Sequence, residues 1–78
     1  MDIYDLANEI IDYSDKNPGD FELLLKRDEL EIFVEGYAYV NNLGGEGEIT
    51  NFEVRKGELS EEDIQEIKDE FYGTVNWS

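Results

Sequence analysis

The sequence contains no cysteine and no histidine, and it has a single proline. Without cysteine the chain has no disulfide, no thiolate ligand for a metal and no cysteine nucleophile. Without histidine it lacks the side chain that most often serves as a general base or as a metal ligand. No catalytic constellation remains, so we expect a binding protein that uses no cofactor rather than an enzyme.

Long apolar runs are missing as well. No run approaches the roughly 20 consecutive apolar residues that a membrane-spanning helix needs. The first residues have no basic region ahead of an apolar segment, so they do not have the pattern of a secretion signal. We therefore expect a cytoplasmic protein with no membrane association.

Basic residues are scarce. Twenty-one aspartates and glutamates stand against six lysines and arginines, which gives a formal net charge of -15. Small domains commonly carry a net charge of magnitude about 2 to 8. Such an excess of negative charge repels nucleic acid and anionic membranes, which excludes direct binding to either. A basic partner, bound cations or adaptation to high salt remain as explanations.

The strongest strand pattern in the chain runs over residues 30–40. Side chains alternate between the two faces of a strand, so this segment divides into two sets. One face carries the aliphatic residues Leu30, Ile32, Val34, Ala38 and Val40. The other face carries the aromatic residues Phe33, Tyr37 and Tyr39. We predict a central strand whose aromatic face is either covered by the C-terminal tail with Trp77, as a second core layer, or used for self-association. We favour self-association, and hence a homodimer, because both helices are expected on the other face.

Two amphipathic helices and two further strands surround this segment. The first helix has its apolar stripe at Ile3, Leu6, Ala7, Ile10 and Ile11. The second helix begins after the N-cap Ser60 and has its stripe at Ile64, Ile67 and Phe71, with Gly73 as the expected C-terminal glycine. Strands are predicted over residues 21–26 and 48–56, the latter marked by Thr50, Phe52 and Val54 after a flexible turn over residues 41–47. The 78 residues therefore predict one α+β domain, a three-stranded antiparallel meander with an N-terminal and a C-terminal helix.

Both helices carry acidic residues away from their apolar stripes. The second helix has Glu62, Asp63, Glu66, Asp69 and Glu70, and the first has Asp2, Asp5, Glu9 and Asp12. Like charges three or four residues apart on a helix repel one another by a few tenths of a kcal/mol per pair. Duplex DNA carries about one negative charge per 1.7 Å of its axis. The two helices could imitate that surface, or they could simply keep the protein soluble.

A tiny, strongly acidic α+β domain without histidine or cysteine resembles the DNA-mimic proteins that bacteriophages use against host DNA-binding proteins. The resemblance spans the whole chain and consists of its size and charge. It implies an inhibitor that occupies the DNA-binding surface of a basic host protein, in the host cytoplasm. The histone-like nucleoid protein HU, a CRISPR effector and a restriction enzyme are all targets that it admits.

Two other functions fit the same sequence. An immunity protein that neutralises a toxic nuclease would have the same acidity and the same basic partner. A structural or adaptor domain from a high-salt cytoplasm would be acidic for a different reason, and it would lose its structure at low salt. If the protein is a mimic, we expect Glu62, Glu66, Asp69 and Glu70 to make the first contacts. Asp63 and the acidic residues of the first helix, Asp2, Asp5, Glu9 and Asp12, are further predicted contacts.

Overall fold

The computed structural model describes residues 2–77, and Met1 and Ser78 lie outside the described part. The elements follow in the order α1 (Ile3–Lys16), β1 (Gly19–Arg27), β2 (Leu30–Asn41), β3 (Gly44–Lys56) and α2 (Glu61–Val75). The three strands form one antiparallel sheet in the order β1-β2-β3. The predicted α+β class and the helix-strand-strand-strand-helix order are confirmed. No helix within residues 2–77 is long and apolar enough to cross a membrane.

The two helices lie side by side and run in the same direction. Near the start of α1, the Tyr4 hydroxyl donates a hydrogen bond to Glu66 in α2. Near the other end, Ser14 lines the same surface depression as Thr74 and Val75. Both helices pack on one face of the sheet, and within residues 2–77 no helix covers the opposite face, which we call the outer face.

The core lies between the helices and the inner face of the sheet. It consists of fourteen buried apolar side chains from all five elements, among them Leu6, Ile10, Ile32, Val34, Ile67 and Phe71. The predicted alternation along β2 is confirmed up to Ala38. Val40 departs from it with 60% of its surface exposed. The Val40 side chain borders a surface depression at the C-terminal ends of both helices, so neither helix covers it.

The hairpin between β2 and β3 is tighter than the sequence predicts. The turn itself contains only Asn42 and Leu43, and β3 begins at Gly44 rather than at Glu48. The side-chain oxygen of Asn41 accepts hydrogen bonds from the backbone N–H groups of Leu43 and Gly44, at 2.7 and 3.1 Å. An Asn side chain that closes its own turn in this way makes a longer flexible loop unnecessary.

The glycines of the predicted flexible turn are strand residues. A Cβ atom on Gly45 would lie 2.4 Å from the carbonyl oxygen of Val75. On Gly47 it would lie 2.4 Å from the carbonyl oxygen of Tyr37. These glycines therefore allow backbone segments to approach closely, which is the other common reason for glycine in a strand.

A β-bulge in β3 changes which of its residues point into the core. Gly36 is paired with Ile49 and Glu35 with Asn51, so Thr50 is the extra residue. Ile49 is buried and Thr50 is exposed, although Thr50 is two residues from the half-buried Phe52. An extra residue shifts the alternation by one, which strand periodicity alone does not reveal.

The helix α2 begins where the sequence predicts and ends later. Ser60 is the N-cap, and its hydroxyl accepts a hydrogen bond from the Asp63 backbone N–H at 3.1 Å. Gly73 lies inside the helix, so its predicted role as the terminating residue is wrong. The helix continues to the buried Val75 and ends at Asn76, whose amide group donates to the carbonyl oxygens of Tyr72 and Gly47 at 2.8 and 2.7 Å. Burial of Val75 and this connection to β3 favour the additional helical residues.

Candidate functional site

The exposed side of α2 gathers four carboxylates. Burial of Ile67 and Phe71 against the sheet fixes the rotation of the helix, so residues on its opposite side face solvent. These residues line one shallow surface depression together with Gln65, and we call them the α2 acidic face: Glu62, Glu66, Asp69 and Glu70. The structure therefore brings together the four residues that the sequence places first among the contacts.

The α2 acidic face has no basic partner within residues 2–77. The ion pairs in this part of the chain are Lys26–Glu31, Arg27–Glu9 and Arg55–Glu53, and none of them involves α2. Asp69 accepts one hydrogen bond, from the side-chain amide of Gln65 at 2.9 Å. The negative charge of this face is therefore not neutralised by an ion pair within residues 2–77 and is exposed to solvent.

One carboxylate of this face is held by a neighbouring helix. The hydroxyl of Tyr4 donates to Oε1 of Glu66 at 2.5 Å. This hydrogen bond and the charge of Glu66 raise the pKa of the Tyr4 phenol, because a phenolate would lose the donor and face a negative carboxylate. Glu70 and Asp2 add smaller effects of the same sign. Tyr4 thus fixes the position of Glu66 while leaving its second oxygen free.

The acidic stripe of α1 has a different position and partly different roles. Asp2 is the N-cap, and its carboxylate accepts from the Tyr4 backbone N–H at 2.9 Å. Glu9 forms an ion pair with Arg27 of β1, and its other carboxylate oxygen is buried without a hydrogen-bond partner in the described part of the chain. Glu9 therefore contacts β1, whereas Tyr4 contacts α2. Asp5 and Asp12 are exposed, and neither lines the depression of the α2 acidic face.

Asp63 also differs from the other acidic residues of α2. It is half-buried, and it lies in the first turn with Glu61 and Glu62. Carboxylates in the first turn of a helix interact favourably with the positive end of its dipole. Asp63 therefore stabilises the start of α2, and its contact with a partner stays a prediction.

The outer face of the sheet carries more carboxylates than the sequence indicates. Phe33, Tyr37 and Tyr39 lie on it, as predicted, and the rings of the two tyrosines are 5.7 Å apart. The strand pairing places Asp20 and Glu48 on either side of Tyr37, and it places Glu46 beside Tyr39. Glu46 lies in the segment that the sequence predicts as a turn, so its position on the outer face could not be predicted. Self-association through these aromatics stays a prediction, and it would bring together two faces that both carry negative charge.

We expect the phenols of Tyr4 and Tyr37 to ionise at a higher pH in the folded protein than in the unfolded chain. Tyr4 and Tyr37 have pKa values raised above 10.0, Tyr4 mainly by Glu66 and Tyr37 mainly by burial and then by Glu48 and Glu46. A phenol whose pKa is higher in the folded state stabilises the fold below its unfolded pKa, and that contribution is lost as the pH rises through the folded pKa. Ultraviolet absorbance measured at increasing pH should detect the ionisation of Tyr4 at the high-pH end of the titration, and Tyr4→Phe should remove that contribution. If Tyr4→Phe leaves the high-pH end of the titration unchanged, the Tyr4–Glu66 contact is absent in solution.

Comparison with protein-family models, with curated proteins and with solved structures gives no match to this chain. Within residues 2–77, no three carboxylates converge closely enough to hold a metal ion. A functional proposal must therefore start from the two charged surfaces of the domain, namely the α2 acidic face and the outer face of the sheet.

Proposed function

We propose that this protein inhibits a basic nucleic-acid-binding protein by occupying the surface on which that protein binds DNA. The observation that carries the proposal is the α2 acidic face, with four carboxylates that have no basic partner among the described residues. A histone-like nucleoid protein such as HU, a CRISPR effector and a restriction enzyme are the targets we consider. In each case the protein acts in the cytoplasm, where its target meets DNA.

The charge density of the α2 acidic face suits this role. Glu62 and Glu70 are eight residues apart, which corresponds to about 12 Å along a helix axis. One strand of duplex DNA places a phosphate about every 3.4 Å along its axis, so the same length carries roughly three or four phosphates. Four carboxylates over this length therefore match one DNA strand in charge per unit length, and a basic groove that fits the strand would attract the helix.

Electrostatic attraction of this kind acts mainly on the rate of association. Exposed charges are screened over about 8–10 Å at ionic strengths of 0.1–0.15 M. Complementary surface charges steer two proteins together, whereas release depends more on close contacts at the centre of the interface. Salt should consequently slow the binding of target more than it speeds the release of target.

Affinity capture from a bacterial lysate, followed by a gel shift, tests the proposal. The captured protein is first bound to duplex DNA, and this protein is then added in increasing amounts. We expect free DNA to appear as a complex of the two proteins forms, because both ligands need the same basic surface. If a slower-migrating ternary complex forms with the DNA still bound, the proposal is wrong and an adaptor role replaces it.

A further inference from the structure

The outer face of the sheet has two ends with similar chemistry. At one end, the ring of Phe33 lies between Leu24 and Glu53 in the strand pairing. At the other end lies a group that we call the tyrosine site: Tyr37, Tyr39, Asp20, Glu46 and Glu48. Each end thus combines aromatic rings with carboxylates on neighbouring strands.

The Phe33 end already binds an arginine from its own chain. The guanidinium carbon of Arg55 lies 4.5 Å from the centre of the Phe33 ring. A nitrogen of the same guanidinium lies 3.6 Å from a carboxylate oxygen of Glu53. The ring face attracts the cation and the carboxylate neutralises it, a combination that suits arginine because its planar group can do both at once.

The tyrosine site has the same components without the cation. No ion pair within residues 2–77 involves Asp20, Glu46 or Glu48. Tyr39 is 51% exposed, so part of its ring is open to a ligand. Glu48 and Glu46 raise the pKa of the Tyr37 phenol in addition to the effect of burial, which means that their negative potential reaches the rings. The site therefore offers an exposed aromatic surface in a negative field.

We infer that the tyrosine site binds an arginine side chain from a basic protein segment. The guanidinium would stack on the tyrosine rings, with the carboxylates of Glu46 and Glu48 beside it, as Arg55 stacks on Phe33 beside Glu53. Lysine fits less well, because its ammonium is a compact and strongly hydrated charge that cannot stack. The inference shares with the proposed function only the basic character of the partner, and it concerns the opposite side of the domain.

Charge decides between such a partner and a second copy of this chain. A face-to-face dimer would bring together two tyrosine sites, each with three carboxylates, in a protein of net charge -15. Arg55, the one arginine over this face, is already engaged with Phe33 and Glu53 of its own chain. A basic segment meets neither obstacle, so it is the better match for this surface.

The test compares two peptides of equal charge, hexa-arginine amide and hexa-lysine amide, at one ionic strength. Their binding to the site is followed by the backbone amide NMR signals of residues 46–48. Cation–π attraction at an exposed site corresponds to a preference for arginine of about two- to five-fold. Tyr37→Leu with Tyr39→Leu should abolish this preference, whereas Tyr37→Phe with Tyr39→Phe should retain it because the rings remain.

Controls separate this inference from the proposed function. Glu62→Gln with Glu66→Gln should leave the arginine preference unchanged, because the α2 acidic face lies on the other side of the domain. Circular dichroism checks each variant for folding, and if the double leucine variant is unfolded, Tyr39→Leu alone replaces it because that ring is half exposed.

Two results would overturn the inference. One is equal affinity of the parent protein for both peptides at residues 46–48. The other is a sedimentation result in which the parent is a dimer and the leucine variant a monomer, since a second copy would then occupy the face. A protein that displaces DNA from its target but shows no arginine preference would keep the proposed function and lose only this inference.

Discussion

Glu62→Lys combined with Glu66→Lys is expected to abolish the displacement of DNA from the target. The two positions lie one helical turn apart on the α2 acidic face. The change places positive charges opposite the basic residues with which the target binds DNA phosphates. Like charges facing each other across an interface cost several kcal/mol, so we expect affinity for the target to fall about 100-fold or more. Competition against a fluorescently labelled DNA duplex measures this loss directly.

A matched control separates position from net charge. Glu29→Lys with Glu58→Lys changes the net charge by the same amount, at exposed loop residues outside the α2 acidic face. This control should bind the target with only a small loss. Both double variants should show the far-ultraviolet circular dichroism of the parent, because none of the four side chains belongs to the core. Equal losses in the two variants would mean that overall charge, and not the α2 acidic face, drives binding.

Phe71→Ala is expected to cause a large loss in the free energy of unfolding. Phe71 has no exposed surface, and its ring lies 5.8 Å from that of Phe21, so it joins α2 to β1 across the core. Truncation of a buried phenylalanine to alanine costs about 3–5 kcal/mol. A domain of this length has a free energy of unfolding of roughly 4–12 kcal/mol. If the parent lies near the lower end of this range, the substitution removes most of its stability. Urea denaturation followed by circular dichroism measures the change.

The neighbouring residue provides the control for this substitution. Tyr72 is also aromatic, but it is 55% exposed. Tyr72→Ala should therefore change the free energy of unfolding far less than Phe71→Ala does. If the two variants lose similar stability, the orientation of α2 on the sheet is not the one described.

The helices and the central strand could be predicted because their signals are local. The stripe Ile64, Ile67 and Phe71 fixes which side of α2 faces the core, and the α2 acidic face follows from the same periodicity. The N-cap Ser60 is equally local, since it needs only the first turn of the helix that follows. Such features require no knowledge of the rest of the fold.

The glycines could not be assigned in the same way. A glycine can mark a turn, a helix end or a close approach of two backbone segments, and only the last of these depends on distant parts of the chain. Gly45 and Gly47 belong to that last class, because the end of α2 and the strand β2 approach them. The bulge at Thr50 is likewise visible only once the partner strand is in place.

The candidate surfaces also depend partly on local sequence and partly on contacts between distant elements. The exposed carboxylates of α2 follow from one helix, whereas the ion pair of Glu9 depends on Arg27, which is eighteen residues away and on another element. That contact removes Glu9 from the set of free carboxylates that the sequence predicts on α1. Glu46 gains a position on the outer face only through the true start of β3. Tertiary contacts therefore change which acids are available, although not the total charge.

The most direct test of the central claim is the apparent affinity of this protein for its target at increasing concentrations of duplex DNA. If the α2 acidic face and DNA occupy one basic surface, binding is mutually exclusive. The apparent dissociation constant should then rise in proportion to the concentration of free DNA, with no upper limit. A dissociation constant that levels off, or does not change, would show that the target holds both ligands at once, and it would contradict the DNA-mimic account.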